Sequence, residues 1–203
     1  DLVRPQPDSR RDDNSRVSPS DRIDSTPDPA KTQAILDACF RAFATNGYQN
    51  TDIEEVAREA GVGKGTVYRY FGTKKDLFRA TADSGMKRLE THCLGAIEGI
   101  EDPVELIRRG AIAYVEFFQT HPELVEILIL ERAEFRGTIP DTHFVYREKN
   151  REILDVAIRR AVETGRFRDV PARETTDAIA NLLYGTVVCG CLQGSASSLK
   201  EAG

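Results

Sequence analysis

From Lys31 onward, apolar residues recur every three to four positions, the spacing that places them on one face of an α-helix. The first such stripe consists of Ala34, Ile35, Ala38, Cys39, Ala42 and Phe43. Almost no stretch alternates apolar and polar residues as a half-buried strand does, and the chain contains no visible internal repeat. The pattern therefore predicts an all-α fold.

Glycine and capping residues divide the first part of this pattern into four helices. Gly47 is placed to end the first helix. Thr51 or Asp52 is placed to begin a short second helix that closes at Gly61, with Glu55 in position for a capping box. A third, short helix is predicted over residues 64–71 and a fourth, long one over residues 74–99, capped by the threonine at 73.

Later breaks predict several more amphipathic helices. Proline opens a helix at Pro103, and the His121–Pro122 step separates the next two. Gly137 and Pro140 mark another break, followed by a long helix over residues 142–164 and a last one that ends near residue 194.

Composition divides the chain at about residue 30. Residues 1–30 hold five of the nine prolines, five serines and many alternating Asp and Arg residues, with few apolar ones. Such a segment buries too little surface to offset its ordering entropy, so we expect a disordered tail, whose arginines could touch DNA. The helical remainder is expected to form two domains, residues 31–80 and 81–203.

The segment GVGKGTVYRYF, residues 61–71, combines glycines with Lys64 and Thr66, as phosphate-binding loops do. A P-loop needs Ser or Thr after its lysine and an earlier glycine, but Gly65 and Arg58 occupy those two positions. The dinucleotide fingerprint fails as well, because Thr66 stands where its third glycine belongs. The preceding TDIEEVAREA is an amphipathic helix rather than a strand, so the sequence disfavours a nucleotide site.

A short helix, a tight glycine turn and a second short helix together predict a helix-turn-helix, whose second helix enters the major groove of DNA. Gly61 supplies the turn. The second helix carries side chains suited to phosphates and base edges, and a lysine pair begins the following helix. These residues are Lys64, Thr66, Tyr68, Arg69, Tyr70, Lys74 and Lys75.

Charge favours the same interpretation. Five basic residues and one acid lie between Lys64 and Arg79, a local net charge of +4 in a chain whose formal charge is −5. A basic island on an acidic protein is typical of a focused contact with DNA.

Residues 34–80 resemble the N-terminal domain of the TetR/AcrR family of bacterial transcriptional regulators. The resemblance is carried by AFATNGYQNT, VAREAGVGKGTVYRYF and KKDLF in that order and spacing. It implies that the recognition helix meets bases and phosphates and that Lys74 grips a phosphate. Glu54 and Glu55 are acidic where a phosphate contact would be expected, although Thr51 can still serve there. The DNA-contacting set implied is Thr51, Lys64, Gly65, Thr66, Tyr68, Arg69, Tyr70 and Lys74.

Residues 81–203 resemble the family in layout, which implies a helical domain for ligand binding and dimerisation. One recognition helix spans too few base pairs for useful specificity, so we expect a homodimer on a near-palindromic operator of double-stranded DNA. Small and apolar residues of the last two helices are the interface candidates, with packing inside the subunit as the alternative. The candidates are Ile153, Leu154, Ala157, Ile158, Ala161, Ala178, Leu182, Gly185 and Cys189.

Aromatic residues in the same half could surround an effector cavity, although aromatic stripes at helical spacing also form ordinary cores. The ligand-binding candidates are Tyr114, Phe117, Phe118, His121, Phe135 and Tyr184. The identity of this small molecule is not predicted. A ligand must bind the DNA-competent and released states differently to change DNA affinity.

Enzymatic, metal and membrane functions lack support in the sequence. The three histidines are far apart, and no nucleophile stands with a base, so neither catalysis, nor a metal site, nor a cofactor is expected. No apolar run approaches the ~18–20 residues of a membrane span, and the first residues lack a signal-peptide core. Four cysteines without framework spacing fit a cytoplasmic protein.

The function predicted from the sequence is that of a DNA-binding regulator, a repressor released by a small molecule. The alternative is a helical interaction module whose helix-turn-helix no longer binds DNA.

Overall fold

The computed structural model describes residues 27–137 and 141–192, with side chains to residue 190. These residues form α-helices joined by short connections, and no β-strand occurs among them. The all-α prediction is therefore confirmed. The helices are α1 (Pro29–Asn50), α2 (Ile53–Glu59), α3 (Lys64–Phe71), α4 (Lys74–Ile97), α5 (Pro103–Thr120), α6 (Pro122–Phe135), α7 (Thr142–Glu163) and α8 (Ala172–Leu192).

Helix α1 begins two residues before the expected domain boundary. Asp28 is its N-cap, and the Asp28 carboxylate accepts hydrogen bonds from the backbone N–H groups of Ala30 (2.9 Å) and Lys31 (3.5 Å). Pro29 is favourable at the first helical position because its missing N–H would have no helical partner there. The rest of the predicted tail, residues 1–26, lies outside the described residues.

Gly47 interrupts α1 as the sequence predicted. Its φ of 74° is in the left-handed region, where a residue with a Cβ atom is strained, and a last turn follows it. Asp52, not Thr51, caps α2, since the Asp52 carboxylate accepts the Glu54 N–H at 2.8 Å. Glu55 forms an ion pair with Arg58 at 3.6 Å instead of completing a capping box.

The reciprocal capping box occurs one connection later, at the start of α4. The Thr73 hydroxyl accepts the backbone N–H of Asp76 at 3.1 Å, and the Asp76 carboxylate accepts the backbone N–H of Thr73 at 3.2 Å. This pair of bonds fixes the point at which the chain leaves α3 and enters the long helix.

Helices α1 and α3 pack on α4, and α2 packs on α1 and α3, around fully buried apolar side chains. Phe43, Val56, Val67 and Phe78 are each at most 1% exposed. Burial of these side chains from four helices fixes the relative positions of α2 and α3, which determines how α3 is presented to solvent.

Helix α6 reaches back to this N-terminal unit. The Phe135 ring at its end lies edge-on to Tyr48, with centroids 4.9 Å apart, and 5.5 Å from Phe78. Glu134 accepts a hydrogen bond from the Gln49 side chain at 2.7 Å. Of the remaining helices, α5 and α7 pack on α4 and on each other, and α8 packs on α5, α6 and α7.

Candidate nucleic-acid interface

Helix α3 has one buried face and one exposed polar face. Val67 is completely buried, whereas Lys64, Gly65 and Arg69 are exposed and Tyr68 retains 39% of its accessible surface. The pattern follows from helical spacing, because Gly65 and Arg69 are each two positions from Val67 and so lie on the opposite side of the helix. This exposed face is the surface that the sequence predicted for DNA.

The turn before α3 has the geometry of a helix-turn-helix. Gly61 has a φ of 68°, and the Val62 N–H donates to the Ala57 carbonyl at 2.9 Å. The Gly63 carbonyl then accepts the Thr66 N–H at 2.8 Å, which begins α3. A tight, hydrogen-bonded turn of this kind presents the N-terminal end of α3 together with its exposed side chains.

Lys64 is paired with an acid of α2. Its ammonium lies 3.6 Å from the Glu54 carboxylate, and both side chains are largely exposed. The sequence places the acidic Glu54 near the expected phosphate contacts, and in the structure its carboxylate faces the first residue of α3. The pair is screened by water, so Lys64 can exchange this partner for a phosphate at little cost.

Tyr70 links α3 to the start of α1. The Tyr70 hydroxyl accepts the backbone N–H of Asp28 at 3.2 Å, and the Arg69 guanidinium lies 5.5 Å from the Tyr70 ring centroid. In the predicted contact between Tyr70 and DNA, the tyrosine hydroxyl would therefore already accept a hydrogen bond from within the chain.

Two other predicted DNA contacts support the connection between α1 and α2. The Thr51 side chain is 4% exposed, and its hydroxyl donates to the carbonyls of Ala42 (3.2 Å) and Gly47 (2.7 Å). The Lys74 ammonium donates to the Gln49 carbonyl at 3.0 Å and lies 5.2 Å from the centroid of the Tyr48 ring. Lys74 is partly exposed, so its charge stays near the surface, whereas the Thr51 hydroxyl is enclosed.

A cavity of about 220 Å³ lies among α4, α5, α7 and α8. Most of its wall is apolar, and polar side chains of α7 form one side. Of the predicted ligand-binding residues, Tyr114 lines this cavity. Tyr184 is one layer behind, with its ring centroid 4.2 Å from that of the cavity-lining His143.

The other predicted ligand-binding residues lie elsewhere. Phe118 and Phe135 are buried core residues, and Phe135 belongs to the contact between α6 and the N-terminal unit. Phe117 is also buried and borders a separate shallow depression between α1 and α4. His121 caps α5, and its Nδ1 lies 3.0 Å from the Phe117 carbonyl.

The predicted interface residues divide into two groups. Ala157, Ile158 and Ala161 are at most 4% exposed within a single chain, where they pack α7 on its neighbours. Ile153 and Leu182 are 37% and 71% exposed. Further exposed apolar residues of α7, which the sequence analysis did not select, are Phe144, Val145 and Val156. The rest of the predicted set are the half-buried Leu154 and Gly185 and the exposed Ala178 and Cys189.

The polar wall of the cavity was missed in the sequence analysis. Arg147 and Arg151 line it, and both donate to the Asp177 carboxylate of α8, at 2.5 and 2.7 Å. A signal was present, because two arginines four positions apart interrupt the apolar face of α7. A basic residue on a buried face requires a partner, which points to a polar site rather than to a plain core.

His143 is the other polar residue of note in the cavity. It is 5% exposed, and its Nε2 lies 2.9 Å from the Tyr114 hydroxyl. Burial and the positive charge of Arg147 lower the pKa of His143 to about 4. The ring is therefore neutral at physiological pH and presents one nitrogen as a donor and the other as an acceptor.

Among residues 27–137 and 141–192, no helix is both long and apolar enough to cross a membrane. In the same residues, no three His, Cys, Asp or Glu side chains are grouped so that they could hold a metal ion.

Fold and surface together define a helix-turn-helix protein with an additional helical domain. The sequence pattern described as bacterial regulatory proteins of the tetR family matches residues 35–81. The chain is 32% identical to the uncharacterized HTH-type transcriptional regulator YhgD of Bacillus subtilis, over 66% of this chain and 69% of that protein. It is 31% identical to the HTH-type transcriptional repressor SCO4008 of Streptomyces coelicolor, over 71% of this chain and 72% of that protein.

The fold also matches a solved structure, that of AibR in complex with isovaleryl coenzyme A and operator DNA. The TM-score is 0.61 at 21% identity, over 76% of this chain and 84% of that one. The sequence relationships and the fold agree, and the chain belongs to the tetR family of bacterial transcriptional regulators.

Proposed function

We propose that this protein is a sequence-specific DNA-binding repressor that a small molecule releases from its operator. The observation that carries the proposal is the exposed polar face of α3, held by a buried Val67 and a glycine turn. Lys64, Thr66, Tyr68 and Arg69 supply donors for base edges and phosphates on that face. The relative SCO4008 is named a repressor, and AibR was solved with operator DNA, which supports the same function here.

The DNA-bound form is a homodimer. Two copies of α3 related by a two-fold axis would read half-sites about one helical turn apart, which makes the operator near-palindromic. Exposed apolar side chains on α7 and α8 provide the contact surface, with Leu182 the most exposed of them at 71%. Like other regulators of chromosomal DNA, the protein would act in the cytoplasm.

The α4–α5–α7–α8 cavity is the site proposed for the effector. Its walls come from α4, which also contacts the N-terminal unit, from α5, and from the two helices of the proposed dimer surface, α7 and α8. A ligand that fits only one arrangement of these helices would shift the dimer between DNA-competent and released states. AibR was solved with a coenzyme A thioester, which shows that a protein with this fold takes a small-molecule partner.

The test is selection of bound fragments from a random DNA pool at a fixed, moderate salt concentration. Wild-type protein is expected to enrich a palindromic motif, and Tyr68→Ala is expected to lose it. Because Tyr68 is exposed, its truncation should leave the fold intact, which thermal unfolding would verify. Ile112→Ala is the matched control, since this side chain is also exposed, at 37%, and lies on α5, far along the chain from α3.

Absence of enrichment by wild-type protein, repeated after unfolding and refolding free of small molecules, would contradict the proposal. In that case the protein would be a helical interaction module. Enrichment that persists in Tyr68→Ala would show that DNA is bound by another surface.

A further inference from the structure

Two buried side-chain nitrogens lack a hydrogen-bond partner among the described residues, and both belong to the wall of the same cavity. They are Nη1 of Arg151 and Nδ1 of His143. Leaving a buried polar group unsatisfied is costly, and native proteins rarely do so. Their common location in a cavity indicates that a bound molecule supplies the missing partner.

Arg151 is fixed by the rest of its guanidinium group. Its Nε donates to Glu148 at 2.8 Å and its Nη2 donates to Asp177 at 2.7 Å, and the side chain is only 11% exposed. These two bonds hold the planar group in one orientation, so Nη1 is a positioned donor rather than a mobile charge. Two carboxylates contact the guanidinium, but Asp177 also pairs with Arg147 and Glu148 also pairs with Arg173. Nη1 is therefore a donor that needs an acceptor atom, and an ionised or a neutral oxygen can supply it.

The rest of the cavity selects for an apolar body. Leu89 and Ile97 of α4, Leu106 of α5, and Ile179 and Leu183 of α8 are among its lining residues. At about 220 Å³ the cavity is somewhat larger than the ~150 Å³ apolar cavities that hold benzene. A ring or short branched chain with one polar substituent matches this space.

We infer that the cavity binds a compact apolar molecule bearing a carbonyl oxygen, and that this oxygen accepts a hydrogen bond from Arg151 Nη1. The inference rests on the proposed function, since it names the class of effector. His143 lies two turns of α7 away from Arg151, about 12 Å along the helix axis. A compact ligand therefore reaches only one of the two nitrogens and places its carbonyl at Arg151, and a water molecule is left to pair with His143 Nδ1.

The inference is tested with three probes of similar size: phenylacetic acid, phenylacetamide and ethylbenzene. Binding to the full chain is measured by calorimetry and by chemical-shift changes, without DNA. The acid and the amide are expected to bind about tenfold more tightly than ethylbenzene, because only they offer the acceptor. Comparison of the acid with the amide distinguishes an ionised from a neutral carbonyl group.

Two variants locate the binding. Arg151→Lys removes Nη1 and retains a positive charge, and it is expected to bring the acid and the amide down to the affinity of ethylbenzene. Gly110→Leu fills the cavity, since a Cβ atom at Gly110 lies 3.6 Å from the cavity-lining Ile97 side chain, an ordinary contact. It is expected to abolish binding of all three probes. Gly95→Leu is the matched control, because Gly95 is exposed on α4 with open space around it.

Equal affinity for all three probes, unchanged binding by Arg151→Lys, or no binding of any probe would each overturn the inference. None of these results depends on DNA, so they leave the proposed regulatory function standing. Conversely, a protein that binds the acid or amide through Arg151 but enriches no DNA sequence would retain the inferred site and lose the proposed function.

Discussion

Lys64 is the residue on the proposed DNA-binding surface whose charge is partly neutralised within the chain. Glu54 lies 3.6 Å from its ammonium and also places a negative charge where phosphates would approach. Glu54→Gln is therefore expected to tighten operator binding by about threefold at low salt, since an exposed pair of this kind is worth at most ~1 kcal/mol. Fluorescence anisotropy over a salt series measures the change, which should shrink as salt increases.

Glu55→Gln is the control for that variant. It makes the same change in net charge one residue away, but Glu55 pairs with Arg58 on α2 rather than with α3. An equal gain in both variants would mean that only the overall charge matters and that Lys64 is not held by Glu54.

The buried His143 leads to a prediction about how the unfolding free energy depends on pH. Its folded-state pKa is lowered to about 4, mainly by burial, whereas the unfolded chain has the ordinary value near 6.5. As the pH falls through 6.5, the unfolded state takes up the proton first. The folded state therefore loses stability down to about pH 4, below which both states are protonated.

We expect His143 to account for about 2 kcal/mol of the stability lost between pH 7 and pH 5. His143→Gln removes the titrating ring, so the variant should lose that much less unfolding free energy over the same interval. Urea unfolding at the two pH values measures both losses. Identical losses in the two proteins would show that the buried imidazole is protonated at its ordinary pKa.

At the scale of helices, the sequence predicted the elements well, because the residues that begin and end a helix act on the backbone next to them. Asp52 begins α2 through its side-chain carboxylate, and Gly61, Pro103 and Gly165 begin or end elements through their backbone preferences, so the boundaries followed within a few residues. The exposed face of α3 was predictable for the same reason.

The cavity could not be located in this way. Which residues line it depends on how α4, α5, α7 and α8 pack, and helical spacing alone does not specify their partners. Phe118 and Tyr114 fall on one stripe of α5, yet the former enters the core and the latter faces the cavity. Arg151 was not predicted to line the cavity, because a charged side chain is expected at the surface unless the structure shows that it is buried.

Two glycines of α4 provide a test of this packing. A Cβ atom at Gly85 would lie 2.5 Å from Leu124 Cδ1 and 2.7 Å from Phe40 Cζ, and both side chains are buried. Gly85→Ala is expected to lower the unfolding free energy by about 1–3 kcal/mol, because the neighbours have little room to move.

Gly95→Ala is the matched substitution on the same helix. Gly95 is exposed, and apart from its own helical backbone nothing lies within 4 Å of the added Cβ, so alanine should raise stability by up to ~1 kcal/mol through its higher helix propensity. Denaturant unfolding compares the two variants. Similar effects at both positions would argue against the close approach of α1 and α6 to α4 at Gly85.

At the scale of the whole molecule, α6 connects the cavity-bearing half to the surface proposed for DNA. Glu131 of α6 is buried and accepts the Thr142 N–H at the start of α7, at 2.8 Å. Phe135, one turn later, packs on Tyr48, and Gln49 holds Lys74 through its carbonyl. A change at the α7 end of the cavity therefore has a continuous set of packed groups through which to reach the helix-turn-helix, provided these contacts have two arrangements.

The last prediction concerns the contact surface of the proposed dimer. Leu182 is the most exposed large apolar residue among those described, and α7 adds Val145 and Val156 at 50% and 47% exposure. Leu182→Glu would place a charge in a surface that an apolar partner must cover, and burying an unpaired charge is costly. The variant is expected to be monomeric by analytical ultracentrifugation, with unchanged helix content.

The same variant should also lose its preference for a palindrome over a single half-site, because one copy of α3 contacts only half of the operator. Ile112→Glu is the control, since Ile112 is an apolar residue of α5 at 37% exposure and lies outside the α7–α8 surface. If Leu182→Glu remained dimeric while Ile112→Glu dissociated, the contact between subunits would lie on α5, and the two recognition helices would be related by a different axis.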